Sequence, residues 1–224
     1  MSLPFAPELA ALGDRFVLDT REVVIAGRTW QLDHPRSAED LISEADFEHD
    51  ERLPYWADLW PSAIVLATEV SGLPGAGLRA LELGCGLGLP ALAAANAGFS
   101  VTATDYYEDA LRFARRNAVR NLGRDMATRL VDWRALPDDL GRFDLVLAAD
   151  VLYERPYAPL VARAVLQSLA PGGVALVADP GRVALEGFRD ECLACGAQLS
   201  VRRAVWHEDG TAKHTITIHE VRLG

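Results

Sequence analysis

The stretch LRALELGCGLGLP, residues 78–90, decides how the chain is read. Its first six residues, LRALEL, read as a buried strand. Gly84, Gly86 and Gly88 follow at alternate positions, and Pro90 opens a helix of small residues that ends near Gly98. Glycines in this place permit positive φ and let a ligand approach the backbone closely. In an α/β sheet such a turn lies at the carboxyl edge of the strands, beside a helix N-terminus. A purely structural glycine turn is the bland alternative, and the strand before and helix after it argue against that alternative.

Downstream of this stretch, strands and helices alternate. SVTATD (100–105) is a second strand. The segment Glu108–Leu122 puts Leu111, Phe113, Ala114, Ala118 and Leu122 near one stripe, with arginines around the rest. ATRLVD (127–132) and FDLVLAAD (143–150) are strands three and four. A helix over Tyr157–Leu169 stops before Pro171-Gly172-Gly173, VALVAD (174–179) is the fifth strand, and a helix covers Val183–Cys195. QLSVRRAV (198–205) and HTITIHEV (214–221) then flank Asp209-Gly210, a hairpin signal. Alternation implies a parallel sheet, and the last hairpin forces an antiparallel strand into it.

Upstream, residues 16–33 carry β-branched and aromatic residues on both sides of Ala26-Gly27, the pattern of a hairpin outside the main sheet. A short helix is expected over Ala38–His49. LPYWADLWPSA (53–63) then leads into an apolar helix through Ile64–Val70, stopped by Gly72 and Pro74. The expected organisation is an N-terminal extension, residues 1–53, ahead of one α/β domain, residues 54–224.

The 224 residues suit that single domain, and half of them are hydrophobic, enough for a core. No stretch reaches the roughly 20 apolar residues of a membrane helix. MSLPFAPELA lacks the basic segment and apolar run of a signal peptide. The cysteines, Cys85, Cys192 and Cys195, are sparse and odd in number. These features set the expectation of a cytoplasmic monomer with no membrane partner. A net charge of −10 opposes a bare electrostatic nucleic-acid binder.

Asp105 ends the second strand, where a carboxylate can accept both hydroxyls of a ribose. The glycine turn and Asp105 alone do not choose the cofactor, because Gly86, Gly88 and Ala91 also fit a G-x-G-x-x-A dinucleotide fingerprint. Three features favour S-adenosylmethionine. Glu82 precedes Gly84 by two, giving E-x-G-x-G-x-G, which resembles methyltransferase motif I. Asp132-Trp133 follows the third strand, and Asp150 ends the fourth. Five parallel strands closed by a hairpin is the layout of the Rossmann-like class I methyltransferase, with a seven-stranded, mostly parallel sheet.

Asp150-Val151-Leu152-Tyr153 spells D-x-x-Y directly after a strand. With motif I, Asp132-Trp133 and Trp60-Pro61-Ser62, it resembles the seven-β-strand protein lysine methyltransferases that carry this motif. PYWADLWPSA and Asp179-Pro180-Gly181-Arg182 are most similar to the branch that methylates lysines of the electron-transfer flavoprotein β-subunit. The resemblance covers roughly residues 54–182. It implies that Glu82, Gly84 and Gly86 lie near the methionine part of the cofactor, that Asp105 holds the ribose, and that Asp132 and Trp133 hold the adenine. It further implies that Trp60 walls the pocket, and that Asp150 and Tyr153 face the acceptor amine. Tyr106 after Asp105 and the short WRALPDDLGR loop (133–142) depart from the family pattern.

Each candidate has a plainer alternative. Trp60, Trp133 and Tyr153 can be core aromatics, Asp150 can cap a following helix, and Asp179–Arg182 can be a strand-ending turn. Cys192 and Cys195 fit two core cysteines on a helix face, and no metal site is expected. The five histidines, His34, His49, His207, His214 and His219, show no ligand spacing. Rival functions are a small-molecule N-methyltransferase acting on a nicotinamide-like amine, an NAD-binding oxidoreductase, or a regulator that binds a cofactor without catalysis. Nucleic-acid methylation is disfavoured, because neither an N-P-P-Y motif nor a Pro-Cys nucleophile is present.

Overall fold

The computed structural model describes residues 5–36, 54–209 and 212–224. The helix expected over Ala38–His49, and Gly210 of the hairpin signal, lie outside the described residues. Two single-turn helices, α1 (Pro7–Ala10) and α2 (Leu12–Arg15), precede a hairpin of β1 (Leu18–Ile25) and β2 (Arg28–Pro35). Helix α3 (Pro61–Val70) leads into β3 (Arg79–Leu83), α4 (Leu89–Asn96), β4 (Ser100–Asp105), α5 (Glu108–Leu122) and β5 (Ala127–Leu130). Then come β6 (Phe143–Ala149), α6 (Tyr157–Ser168), β7 (Leu169–Asp179), α7 (Leu185–Ala194), β8 (Gln198–Asp209) and β9 (Ala212–Arg222).

The main sheet runs β5-β4-β3-β6-β7-β9-β8. Its pairs are parallel except those of β9, which is antiparallel to both β7 and β8. This is the expected seven-stranded class I methyltransferase topology. Successive side chains of a strand face opposite sides, and the two cores follow from that alternation. Ala80, Ala103, Leu145 and Leu147 pack toward α3, α4 and α5. Leu81, Leu83, Val146 and Ala148 pack toward α6 and α7. Small residues along LPALAAAN let α4 be buried all round.

The fifth strand corrects the expected boundary. VALVAD was expected to start at Val174, yet β7 begins at Leu169, with Phe143 paired to Leu169 and Leu145 to Val174. Residues 170–173 therefore bulge out opposite Asp144. Pro171 has no N–H for the ladder. A Cβ on Gly173 would lie 2.9 Å from the Phe143 carbonyl oxygen, so glycine suits the crossing of the bulge.

The N-terminal hairpin turns at Ala26 and Gly27, both at positive φ (50° and 77°), as the twist of a two-residue hairpin loop requires. It forms its own sheet and packs on α5. The buried Asn117 side chain accepts from Asp33 N at 2.8 Å and donates to the carbonyl oxygens of Asp33 and Leu87, each at 3.1 Å. Arg116 Nε donates to the Asp33 carboxylate at 2.7 Å. Trp30 and Leu32 of β2 join the same core as α4 and α5. One side chain, Asn117, thus ties the hairpin to Leu87 in the glycine turn.

Candidate functional site

The site is built at the sheet position where the strand order reverses. β3 lies centrally, with β4 and β6 on either side of it, so the turns that follow these three strands open on one edge. One cleft on that edge is lined by Trp60, Glu82, Gly84, Gly86, Asp105, Asp132, Trp133, Asp150 and Tyr153 together. These are all nine residues singled out from the sequence.

The glycine turn is shaped by what each Cβ would meet. Gly84, Gly86 and Gly88 have φ of 64°, 49° and 83°. A Cβ on Gly86 would sit 3.0 Å from the backbone oxygen of Trp56, and one on Gly88 would sit 2.9 Å from Ala114 Cβ. Leaving both out lets the turn nest between the 310 turn Tyr55–Ala57 and α5. Glu82 reaches under the turn, where its Oε2 accepts from Ala91 N at 2.8 Å. Gly88, the N-cap of α4, has no side chain to cap with, so the Glu82 carboxylate supplies the missing acceptor at the positive end of the helix. Burial pushes the Glu82 carboxyl well above its ordinary range, the Ala91 hydrogen bond opposes this, and the nearby Asp105 charge adds to it.

Asp105 is buried at the end of β4. Its Oδ2 accepts from Gly86 N at 2.9 Å and its Oδ1 from Tyr107 N at 3.0 Å. Burial raises its pKa while these amides pull it down. The carboxylate, which also draws on the Tyr106 amide, has acceptor capacity that suits a pair of vicinal hydroxyls. Asp132 is held by its neighbour: Arg134 donates from its backbone N at 2.9 Å and from Nε at 3.0 Å. The Arg134 guanidinium lies over the Tyr106 ring, 5.4 Å from its centre, at the mouth of the cleft. Trp133 is half-buried, edge-on to Tyr157 at 5.8 Å and close above Gly84.

The other end of the cleft carries Asp150. It does not cap a helix, since the next one begins at Tyr157. It adopts φ of 58°, a left-handed backbone that costs a residue with a Cβ about 1–2 kcal/mol. Its amide donates to Ala178 O at 3.0 Å. The carboxylate takes Ser62 Oγ at 2.8 Å on one oxygen and Arg182 Nε at 2.6 Å on the other. Tyr153 stands between Tyr55 and Tyr157, with ring centres 5.2 and 5.1 Å away. Burial first, then the neighbouring Tyr157, pushes its phenol far above the ordinary range. It remains protonated at neutral pH.

Trp60 is the N-cap of α3 rather than part of it, and its indole Nε1 donates to Tyr55 O at 2.8 Å. Ser62 and Arg182, the two partners of Asp150, were not singled out from the sequence, although both stand in segments that carried the family resemblance. Trp56 was also missed. It meets Gly86 through its backbone, which no side-chain pattern announces.

Among the described residues no group of three or more His, Cys, Asp or Glu is placed to hold a metal, and no helix is long and apolar enough to cross a membrane. Residues 80–173 match the family model described as a methyltransferase domain. The chain is similar to the protein N-lysine methyltransferase METTL21A of Danio rerio, 36% identical over 126 residues, which cover 53% of this chain and 56% of that one. It is 31% identical over 138 residues to the electron transfer flavoprotein beta subunit lysine methyltransferase of Danio rerio, covering 59% and 52%. The chain spans about half the length of these curated relatives. The T. thermophilus 16S rRNA N2 G1207 methyltransferase (RsmC), solved in complex with AdoMet and guanosine, has the same fold. Its TM-score is 0.65 at 16% identity, over 92% of this chain and 51% of that one.

Proposed function

We propose that this chain, whose residues 80–173 match a methyltransferase domain, is an S-adenosylmethionine-dependent N-methyltransferase acting on lysine side chains of a protein. One observation carries the reading. A single cleft runs from Asp105 and Asp132-Trp133, through the glycine turn, to Asp150 and Tyr153. A hydroxyl-binding carboxylate and an aromatic wall thus share one space with an amine-directed carboxylate. The residues fit the cofactor: the missing Cβ atoms of Gly84 and Gly86 leave backbone open to a ligand, and Asp105 keeps acceptor capacity for a ribose. Glu82 shapes the turn from beneath, by capping α4. Residues 54–224 form the catalytic domain in this reading, and the β1–β2 hairpin braces it on α5.

S-adenosylmethionine, when bound, supplies a methyl group on a sulfonium, a good leaving group, so positioning provides most of the catalysis. The protein must present an uncharged amine, although a free lysine titrates near ~10.4. Asp150, held by Ser62, accepts a hydrogen bond from that amine and aims its lone pair into the cleft. Tyr153, which stays neutral, walls the acceptor beside Tyr55 and Tyr157. The electron-transfer flavoprotein β-subunit is the first substrate to try, on the strength of the similar relatives.

The deciding experiment is transfer of labelled methyl groups from S-adenosylmethionine to an extract of the source cells, compared between wild type and Asp150→Ala. Label on protein lysines, lost in the variant while S-adenosylhomocysteine still binds, is the expected result. Label found only on small molecules would overturn the protein substrate. Transfer undiminished in Asp150→Ala would overturn the role of that carboxylate.

A further inference from the structure

Asp150 faces two cavities. A second one, about 550 Å³, shares with the first only Asp58, Leu59, Trp60 and Asp150. The apolar Leu59, Trp60, Pro61, Pro180 and Ile216 line it together with the charged Arg21, Asp58, Asp150 and Arg182. Within it Arg182 already stands on the Asp150 carboxylate. A cavity that sets apolar side chains beside carboxylates suits an alkylammonium, which is the chemistry of a lysine side chain.

We infer that the second cavity admits the acceptor side chain and that Arg182 occupies the acceptor's place on Asp150 until the acceptor displaces it. The inference rests on the reading that Asp150 directs an amine. Three features favour displacement over a fixed pair. Arg182 reaches Asp150 through Nε, a contact at one nitrogen of the guanidinium, while about a third of its side chain remains exposed. Its guanidinium also lies 5.2 Å from the centre of the Trp60 ring, the wall between the two cavities. The turn that carries it ends on Asp179, whose Oδ1 accepts from Gly181 N and Arg182 N, each at 2.7 Å.

The other Asp179 oxygen is the fourth observation. Oδ2 is buried and has no hydrogen-bond partner, which is costly for a carboxylate in a folded chain. Asp179 lies near enough to be influenced by the charges of both Asp150 and Arg182. A guanidinium released from Asp150 therefore has a second carboxylate within the same turn. Asp150 then exchanges one cation for another and is not left buried and unpaired. Arg182 sets specificity in this scheme: the acceptor arrives as the ammonium that can compete for its place, and gives up its proton to solvent water before methyl transfer.

The probe is n-butylammonium, the lysine side chain without its backbone, titrated calorimetrically into the full chain with and without S-adenosylhomocysteine. Arg182→Ala and the neutral, longer Arg182→Gln should each bind the probe at least tenfold more tightly than wild type. Arg182→Lys, which restores a cation, should return to within about threefold of wild type. Adding Asp150→Asn to Arg182→Ala should remove the gain. Equal affinity in wild type and both neutral variants would overturn the inference. So would an equal gain for n-butanol, which would mean that the substitution opened apolar space and not a charge site. Failure of S-adenosylhomocysteine to bind at all is a separate outcome, and it would count against the methyltransferase reading instead.

Discussion

Replacing Gly88 by alanine tests the glycine turn quantitatively, because two separable costs are visible there. Gly88 has φ of 83°, and leaving glycine in that region costs a residue with a Cβ about 1–2 kcal/mol. The added Cβ would lie 2.9 Å from Ala114 Cβ and 3.2 Å from Ala114 Cα. Favourable carbon contacts fall at about 3.5–4.0 Å. Inserting a methyl into a packed interior without room costs about 1–3 kcal/mol. The sum is about 2–5 kcal/mol, which at about 2–4 °C per kcal/mol for a chain of this size is about 4–20 °C in Tm. Ala114→Gly, on the facing helix α5, removes the atom that is struck. Alone it should cost about 1 kcal/mol in helix propensity. Combined with Gly88→Ala, it should recover the steric part, giving a coupling of about 1–3 kcal/mol in urea unfolding. A cycle additive to within about 0.5 kcal/mol would refute the reasoning, since residues that do not touch add in this way.

Asp105→Ala should weaken S-adenosylhomocysteine at least tenfold by calorimetry, because two hydroxyls lose their acceptor at about 1–3 kcal/mol for each group left unpaired. Preferential binding of NAD instead would overturn the cofactor assignment. Trp133→Ala should weaken the same ligand while the domain stays folded; lost thermal stability with unchanged affinity would make Trp133 a core residue only. His219 is buried in β9, between Val177 and Val201, with neither ring nitrogen partnered, and burial holds its pKa below the ordinary value. The unfolded chain therefore takes up the proton first, and wild type should lose stability as pH falls from about 6.5, by up to about 1.4 kcal/mol per pH unit. Urea midpoints at pH 7.0 and 5.5 should show a smaller loss in His219→Leu; parallel losses in the two proteins would refute this.

The strands were legible because each is short, apolar and ended by a turn or a carboxylate. Ser100–Asp105 and Glu108–Leu122 have the expected ends. The start of β7 was not legible. Pro171-Gly172-Gly173 signals a break in structure, and the fold uses it as a bulge inside a strand whose first residue, Leu169, pairs across it with Phe143. A turn signal gives local backbone shape, and whether the chain resumes the same ladder afterwards is decided by the neighbouring strand. Asn117 escaped notice for a similar reason. On a helix read as an apolar stripe with arginines around it, an asparagine belongs to the polar side, yet this one is buried because β2 covers it and supplies its partners.

The site divides along the same line. Glycines, Asp105, Asp132-Trp133 and Asp150 are visible because each sits at a fixed offset from the end of a strand, and parallel strands bring their ends to one edge. What holds Asp150 is not at such an offset. Ser62 lies 88 residues before it and Arg182 lies 32 after, and they meet only once α3 and the turn after β7 are packed beside β6. The left-handed backbone of Asp150 has the same origin. Its amide is held by Ala178 of the neighbouring strand, and its carboxylate is gripped from both sides. Strain of about 1–2 kcal/mol persists only where the surroundings over-determine the conformation. Here three contacts do so, and two of them belong to the carboxylate that faces both cavities. A sequence can therefore name the residue on which the chemistry turns. The partners that hold that residue as it waits for its substrate are brought to it only by the folded chain.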